Sequence, residues 1–172
     1  ARAPPAAGLS QGLIGALPSA PILCHVRRSI GLTDADPHSE VTRYLSVHRG
    51  MERRVFETLS YFDGVNFARR AAAPALFGAG HMDTISPPST VYAAANHWAG
   101  GAETAAYPWN GHEGGEGRHQ LRQLEWLAAR DAIGRVGVDA HGDDRAADPG
   151  ALVLHISSDG AGEAKARRTG KT

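Results

Sequence analysis

The stretch from residue 74 to residue 132 alternates between strand and helix patterns, and this alternation constrains the fold most. Residues 74–80 and 103–107 are short apolar runs typical of buried strands. Residues 87–99 predict a helix with Ser86 as its N-cap. Residues 119–132 predict an amphipathic helix whose apolar side holds Leu121, Leu124, Trp126 and Leu127. Strands alternating with helices pair in parallel through right-handed crossovers, so the prediction is an α/β fold.

The segments on either side of this alternation differ in character. Residues 13–17 predict a short buried strand, and residues 25–70 predict helices with a break at residues 34–38. Residues 135–172 are dominated by Gly, Ala, Asp and Arg, and within them only residues 151–156 could form a strand. We therefore expect one domain over residues 1–134 and a mostly disordered tail over residues 135–172.

Composition excludes several classes of function. The 18 basic and 18 acidic residues cancel, and no basic stripe alternates with aromatics, so nucleic acid is not an expected partner. No apolar run approaches the roughly 18 residues of a membrane span, so no membrane partner is expected. A single cysteine excludes an internal disulfide and a multi-cysteine zinc site, and it suits a reducing compartment.

Two polar residues follow the two predicted strands and are the strongest candidates for chemistry. Asp83 follows the first strand, and His112 lies on a glycine-flanked loop after the second. An acid followed by a histidine is the late order of a Ser-Asp-His triad, in which the acid accepts the imidazole Nδ1–H. The alternative is that Asp83 is a turn residue and His112 a loop residue without a role. His81, Asp83 and His112 could also be considered as three metal ligands. Zinc sites often use an i, i+4 pair on a helix, and none is visible here, so no metal is expected.

The nucleophile is the weak point of a triad hypothesis. Gly8-Leu9-Ser10-Gln11-Gly12 matches the G-x-S-x-G elbow, which needs a strand before the serine and a helix after it. The preceding segment contains two prolines, and too few residues separate Gly12 from Pro18 for a full helix. Ser10 is therefore a candidate nucleophile by motif but not by context.

Four separated segments carry a resemblance to a known family: residues 21–28, 59–68, 82–91 and 110–114. In this order and spacing the chain resembles the acetyl xylan esterase and cephalosporin C deacetylase family, which is carbohydrate esterase family seven of the α/β-hydrolase superfamily. The resemblance covers roughly residues 9 to 134. It implies an esterase that deacetylates small acetylated sugars, such as xylo-oligosaccharides, and cephalosporin-type esters, with Asp83 as its acid and His112 as its base.

The resemblance also implies a helical insertion over about residues 25–70, a ring-shaped homo-oligomer, a cytoplasmic location, and no cofactor or metal. The N-terminus departs from the family. An ungapped match, which we favour, puts Ser10 at the end of the helix after the elbow and the true nucleophile before Ala1. The competing match makes Ser10 the nucleophile but deletes about a dozen residues of the strand and helix that the elbow needs.

The resulting expectation is the C-terminal half of an α/β-hydrolase without its N-terminal strands. One sheet edge would then stay open, and residues 74–80 and 103–107 would need cover on both faces. A different class of function is also open. The chain would then be a non-catalytic piece that keeps this half of the fold for oligomerisation or binding.

Overall fold

The computed structural model describes residues 3–130 and the strand of residues 151–154. The strands are Gly15–Pro18 (β1), Ala75–Gly80 (β2), Ala102–Tyr107 (β3) and Ala151–Leu154 (β4). The helices are Ala3–Leu9 (α1), Val26–Leu32 (α2), His38–Val47 (α3), Glu52–Ser60 (α4), Gly64–Ala68 (α5), Pro88–Asn96 (α6) and Glu116–Ala128 (α7), with a 3₁₀ turn at Arg49–Met51.

The described strands form one sheet in the order β3-β2-β1-β4. β1, β2 and β3 run parallel, and β2 pairs with β3 along its full length, from Ala75 opposite Ala102 to Gly80 opposite Tyr107. The helices between these strands are the crossovers that parallel pairing requires. The α/β fold with parallel strands and crossover helices is thus confirmed.

The edge of β1 differs from the expectation. β4 pairs antiparallel with β1, from Gly15 opposite Leu154 to Pro18 opposite Ala151, so this edge is covered and not open. β4 realises part of the strand expected over residues 151–156. The remainder of the expected tail at residues 135–172 lies outside the described residues.

Apolar side chains divide between the two faces of the sheet because successive residues of a strand point to opposite sides. Phe77 of β2 packs with Val91 and Trp98 in a cluster under α1, α5 and α6. Leu76 packs on the other face with Leu17, Ala105, Trp126 and Leu127, under α7. Helices therefore cover both faces of the central strands.

Two expectations about burial were wrong. All of β2 is buried, but in β3 only Ala105 is, because β3 is the outer strand of the described sheet. The buried face of α7 holds His119, Gln123, Trp126 and Leu127. Leu121 and Leu124 are instead 62% and 54% exposed, since they point away from the His119–Gln123 line that faces the sheet.

Residues 26–68 form the helical insertion as α2 to α5, and non-helical residues 33–37 supply the break between α2 and α3. The side chain of Asp63 fastens its two ends together. Its carboxylate accepts the backbone N–H groups of His25 and Val26 at 2.8 Å each and of Val65 at 3.0 Å. No helix in the described part of the chain has the length and apolar character needed to cross a bilayer.

Candidate active site

The candidate site lies where β2 and β3 end, at the same edge of the sheet. Two backbone hydrogen bonds join the loops that follow these strands: His81 N–H donates to Tyr107 O, and Met82 N–H donates to Asn110 O, both at 3.0 Å. Gly80 permits this approach, because a Cβ at that position would lie 2.0 Å from the carbonyl oxygen of Gly111. The backbone thus brings the loop of Asp83 against the loop of His112.

Asp83 is held by both oxygens of its carboxylate. Oδ1 accepts the backbone N–H groups of Ile85 and Ser86, each at 2.8 Å. Oδ2 lies 3.0 Å from Nδ1 of His112, and the Asp83 side chain is completely buried. Two N–H donors fix the orientation of the carboxylate.

His112 sits on a loop tied by its own side chains. Oε1 of Glu113 accepts from Asn110 Nδ2 at 2.9 Å and from the N–H of Gly111 at 3.0 Å. The hydrogen bond from Asn110, with smaller contributions from backbone donors, lowers the pKa of Glu113. Gly115 has a φ of 91° and packs on the ring of Tyr107, so it is required by both conformation and space. Sequence reasoning missed the role of Glu113.

The arrangement supports proton transfer. The Asp83 carboxylate accepts Nδ1–H of His112, which fixes the imidazole tautomer that uses Nε2 for proton exchange. The His112 side chain is 37% exposed, so it reaches the surface where a substrate would bind. The chemistry that fits this pair is general acid–base catalysis assisted by a buried carboxylate.

A buried polar chain lies behind the histidine loop. Nδ1 of His119 bonds to the Tyr107 hydroxyl at 3.1 Å, and the amide nitrogen of Gln123 lies 3.0 Å from His119 Nε2 and 3.1 Å from Ser19 Oγ. Burial lowers the pKa of His119, which keeps its ring neutral and able to accept from the Gln123 amide. The spacing of His119 and Gln123 on one predicted helix was the available signal for this pair.

Ser86 does not cap helix α6, contrary to the prediction. The residue that precedes α6 is Pro87, and no side chain caps that end. Ser86 is fully buried, its N–H donates to Asp83, and its hydroxyl donates to Ala20 O at 3.0 Å. Its hydroxyl therefore fastens the acid loop to the segment after β1.

Ser10 is not brought to the pair. It directly follows α1, its N–H donates to Ala6 O, and it lines a surface cleft with Pro74, just before β2 begins. The pair lies beyond the other end of β2, a six-residue strand of about 17–20 Å. In a nucleophile elbow the serine precedes a helix, but here residues 8–12 lie at the end of helix α1. The motif therefore lacks its structural context.

His81 and the single cysteine, Cys24, take no part in the bond between Asp83 and His112. Nε2 of His81 bonds to the Tyr92 hydroxyl at 3.1 Å, toward α6. Among the described residues no group of three or more His, Cys, Asp or Glu side chains could hold a metal ion. The thiol of Cys24 is buried, and burial raises its pKa to about 12, so it is a poor nucleophile.

Parallel strands covered by helices on both faces, with an acid and a histidine after successive strands, match the arrangement of an α/β-hydrolase. The sequence model of the acetyl xylan esterase family matches residues 3–130. The chain belongs to this family of esterases.

Solved structures agree with this assignment. The acetyl xylan esterase from Paenibacillus sp. R4 is 38% identical, with a TM-score of 0.69 over 74% of this chain and 41% of that one. Acetyl xylan esterase 1 from Thermoanaerobacterium sp. JW/SL YS485 is 30% identical, with a TM-score of 0.64 over 71% of this chain and 40% of that one. This chain thus spans about two fifths of the length of these relatives.

A more distant match concerns the fold alone. The acylaminoacyl peptidase of Pyrococcus horikoshii is 14% identical, with a TM-score of 0.51 over 73% of this chain and 21% of that one. At this identity the match shows a similar fold and no more.

Proposed function

We propose that this chain supplies the acid and the base of a serine esterase that removes acetyl groups from small acetylated sugars. The observation that carries the proposal is the bond between His112 Nδ1 and Asp83 Oδ2, at 3.0 Å, with the Asp83 side chain buried and its other oxygen held by two backbone N–H groups. That geometry orients an imidazole for proton transfer.

In the proposed reaction a serine hydroxyl attacks the acetyl carbonyl carbon while Nε2 of His112 takes the hydroxyl proton. Asp83 stabilises the resulting imidazolium. The tetrahedral intermediate then breaks its bond to the sugar oxygen, which receives the proton from His112 and leaves as the free alcohol. Water, deprotonated by the same imidazole, attacks the acetyl-serine. The bond to the serine oxygen breaks, this oxygen takes the proton back from His112, and acetic acid leaves and ionises to acetate.

The nucleophile in this proposal is a serine outside the described residues. Ser10 lies beyond the opposite end of β2 from His112, and we propose that α1 is the helix that follows the elbow. The elbow serine would therefore come from a strand preceding α1, together with one donor of the oxyanion hole. The chain supplies one side of a composite site.

The substrates we propose are acetylated xylo-oligosaccharides and cephalosporin-type esters, hydrolysed in the cytoplasm without metal or cofactor. The family and the likeness to two acetyl xylan esterases support the acetyl group and the sugar. The rim of the site adds support: Trp109 is 89% exposed and Met82 62% exposed, on the two loops that carry the pair. An exposed indole offers an apolar face to a sugar ring.

The test joins this chain to an upstream segment of a family member that contains its elbow. His112→Ala should lower turnover of p-nitrophenyl acetate by orders of magnitude, and Asp83→Asn by up to about 10⁴-fold, because both disable the base. His97→Ala and Asp34→Asn are the matched controls at exposed positions. Ser10→Ala should leave turnover unchanged. Less than tenfold loss in either pair variant would remove that residue from the mechanism.

A second function, from another class, is a non-catalytic oligomerisation piece. The helical insertion supports it with exposed large apolar side chains at Tyr44, Val47, Tyr61 and Phe62. Exposed apolar groups of this size are typical of protein interfaces, and the partner we propose is a second copy of the chain. Light scattering should show an oligomer that Phe62→Ser or Tyr61→Ser reduces to monomer; a monomer at all concentrations would contradict this function.

A further inference from the structure

Asp83 owes its orientation to the backbone of two residues in an irregular loop. Both N–H groups that bind its Oδ1 belong to Ile85 and Ser86, which precede α6. An irregular segment holds such a shape only if its own polar groups are anchored elsewhere. The anchor of Ser86 is its hydroxyl bond to Ala20 O.

The anchor of Ile85 comes from the helical insertion. Nε2 of His38, the first residue of α3, lies 3.2 Å from Ile85 O, across 47 residues of sequence. A carbonyl oxygen only accepts, so Nε2 carries the proton and donates. His38 is 2% exposed, with the hydroxyl of Ser29, itself 0% exposed, 3.1 Å from the same nitrogen. Burial lowers the pKa of His38, which keeps the ring neutral in this tautomer.

We infer that His38 is a positioning residue for the acid of the site, acting through the carbonyl of Ile85. The path runs from α3 to Ile85 O, from Ile85 N–H to Asp83 Oδ1, and from Asp83 Oδ2 to His112 Nδ1. The insertion thereby does more than add surface: it fixes the side chain that orients the base. The role rests on the proposed function, because an acid needs positioning only where its histidine works.

Two amide substitutions at His38 distinguish the hydrogen bond to Ile85 O from simple filling of the space. Glutamine at position 38 places its amide nitrogen near the location of Nε2, whereas the shorter asparagine does not reach it. Far-UV circular dichroism of His38→Asn checks that this variant folds. Trp98→Phe is the matched control, since it removes another buried side-chain bond to a carbonyl, Trp98 Nε1 to Ala73 O, at the far end of β2.

The experiment follows the full chain by NMR and needs no ester. In His38→Asn, amide exchange at Ile85 and Ser86 should accelerate at least about tenfold, as expected for loss of a buried hydrogen bond. The low-field proton resonance of His112 Nδ1–H should weaken, because its acceptor loses orientation. His38→Gln should restore both signals, and Trp98→Phe should change neither.

Unchanged exchange and an unchanged resonance in His38→Asn would overturn the inference, as would a His38→Gln variant that behaves like His38→Asn. These readouts report on the pair itself. If the chain were joined to an elbow segment and still failed to hydrolyse esters, the proposed function would be wrong. The amide exchange and the His112 resonance would be unaffected by that result. In a hydrolysing enzyme, His38→Asn should lower kcat at least about tenfold with little change in KM.

Discussion

Replacing Gly80 by alanine should separate the acid from the histidine without touching either side chain. A Cβ at position 80 would meet the carbonyl oxygens of Gly111 at 2.0 Å and of Asn110 at 2.6 Å, both backbone atoms that no side-chain rotation can clear. Ordinary van der Waals contact lies at 3.4–4 Å. The two loops must therefore move apart by more than about 1 Å, as an overpacked site does.

The size of the effect follows from the bonds that span the gap. Overpacking of this kind costs about 1–3 kcal/mol. A shift of this size also breaks the bond from Met82 N–H to Asn110 O and weakens the bond between His112 and Asp83, each worth about 1 kcal/mol. Alanine recovers about 0.4–1 kcal/mol by restricting the unfolded chain. The net loss is roughly 2–4 kcal/mol.

Urea unfolding followed by circular dichroism measures this loss as a lower midpoint at constant slope. The control is Gly117→Ala in α7, where an added Cβ meets nothing within 4 Å and helix propensity should raise stability by up to about 1 kcal/mol. The His112 Nδ1–H resonance should disappear in Gly80→Ala and persist in the control. A Gly80→Ala chain within about 0.5 kcal/mol of the parent would refute the proposed role of the close approach.

Three other perturbations should affect the scaffold. Asp63→Ala should lower unfolding free energy by about 2–3 kcal/mol, because three N–H groups lose their acceptor, whereas exposed Asp34→Ala should change it by less than about 0.5 kcal/mol in the same urea assay. Ending the chain at Arg130 deletes β4 and exposes the edge of β1, so light scattering should reveal more association than the full chain shows. Burial lowers the pKa values of His38 and His119, so the folded chain binds their protons less readily than the unfolded chain. Stability should be full above pH 6.5 and fall as the pH drops below it, and a urea midpoint that rose on acidification would contradict this.

The secondary structure was predictable where local pattern decides it. The apolar run at residues 74–80 and the proline-started helix after it carry their signals within a few residues, and the structure contains both. The residues that cover a strand or helix cannot be predicted from its own local sequence. The exposure of β3 and the outward side of Leu121 depend on which neighbours the sheet and α7 have in space.

The juxtaposition of Asp83 and His112 was predictable because parallel strands deliver their carboxyl ends to one edge. The support of that pair was not. His38 contacts Ile85 across 47 residues, and the hydroxyl of Ser86 reaches Ala20 across 66, with no motif to link them. For Ser10 the sequence context was the better guide than the motif: the G-x-S-x-G pattern matches, but the residues around it did not predict an elbow, and the structure places Ser10 directly after a helix.

The antiparallel pairing of β4 with β1 has a consequence for assembly of a complete site. A strand, elbow and α1 would form a crossover unit with β1, and the parallel strands of such a unit usually lie side by side. One side of β1 is taken by β2 and the other by β4. A strand that carries the nucleophile would need the side of β1 that β4 now occupies. Pairing of β1 with β4 and pairing of β1 with the nucleophile strand therefore exclude each other.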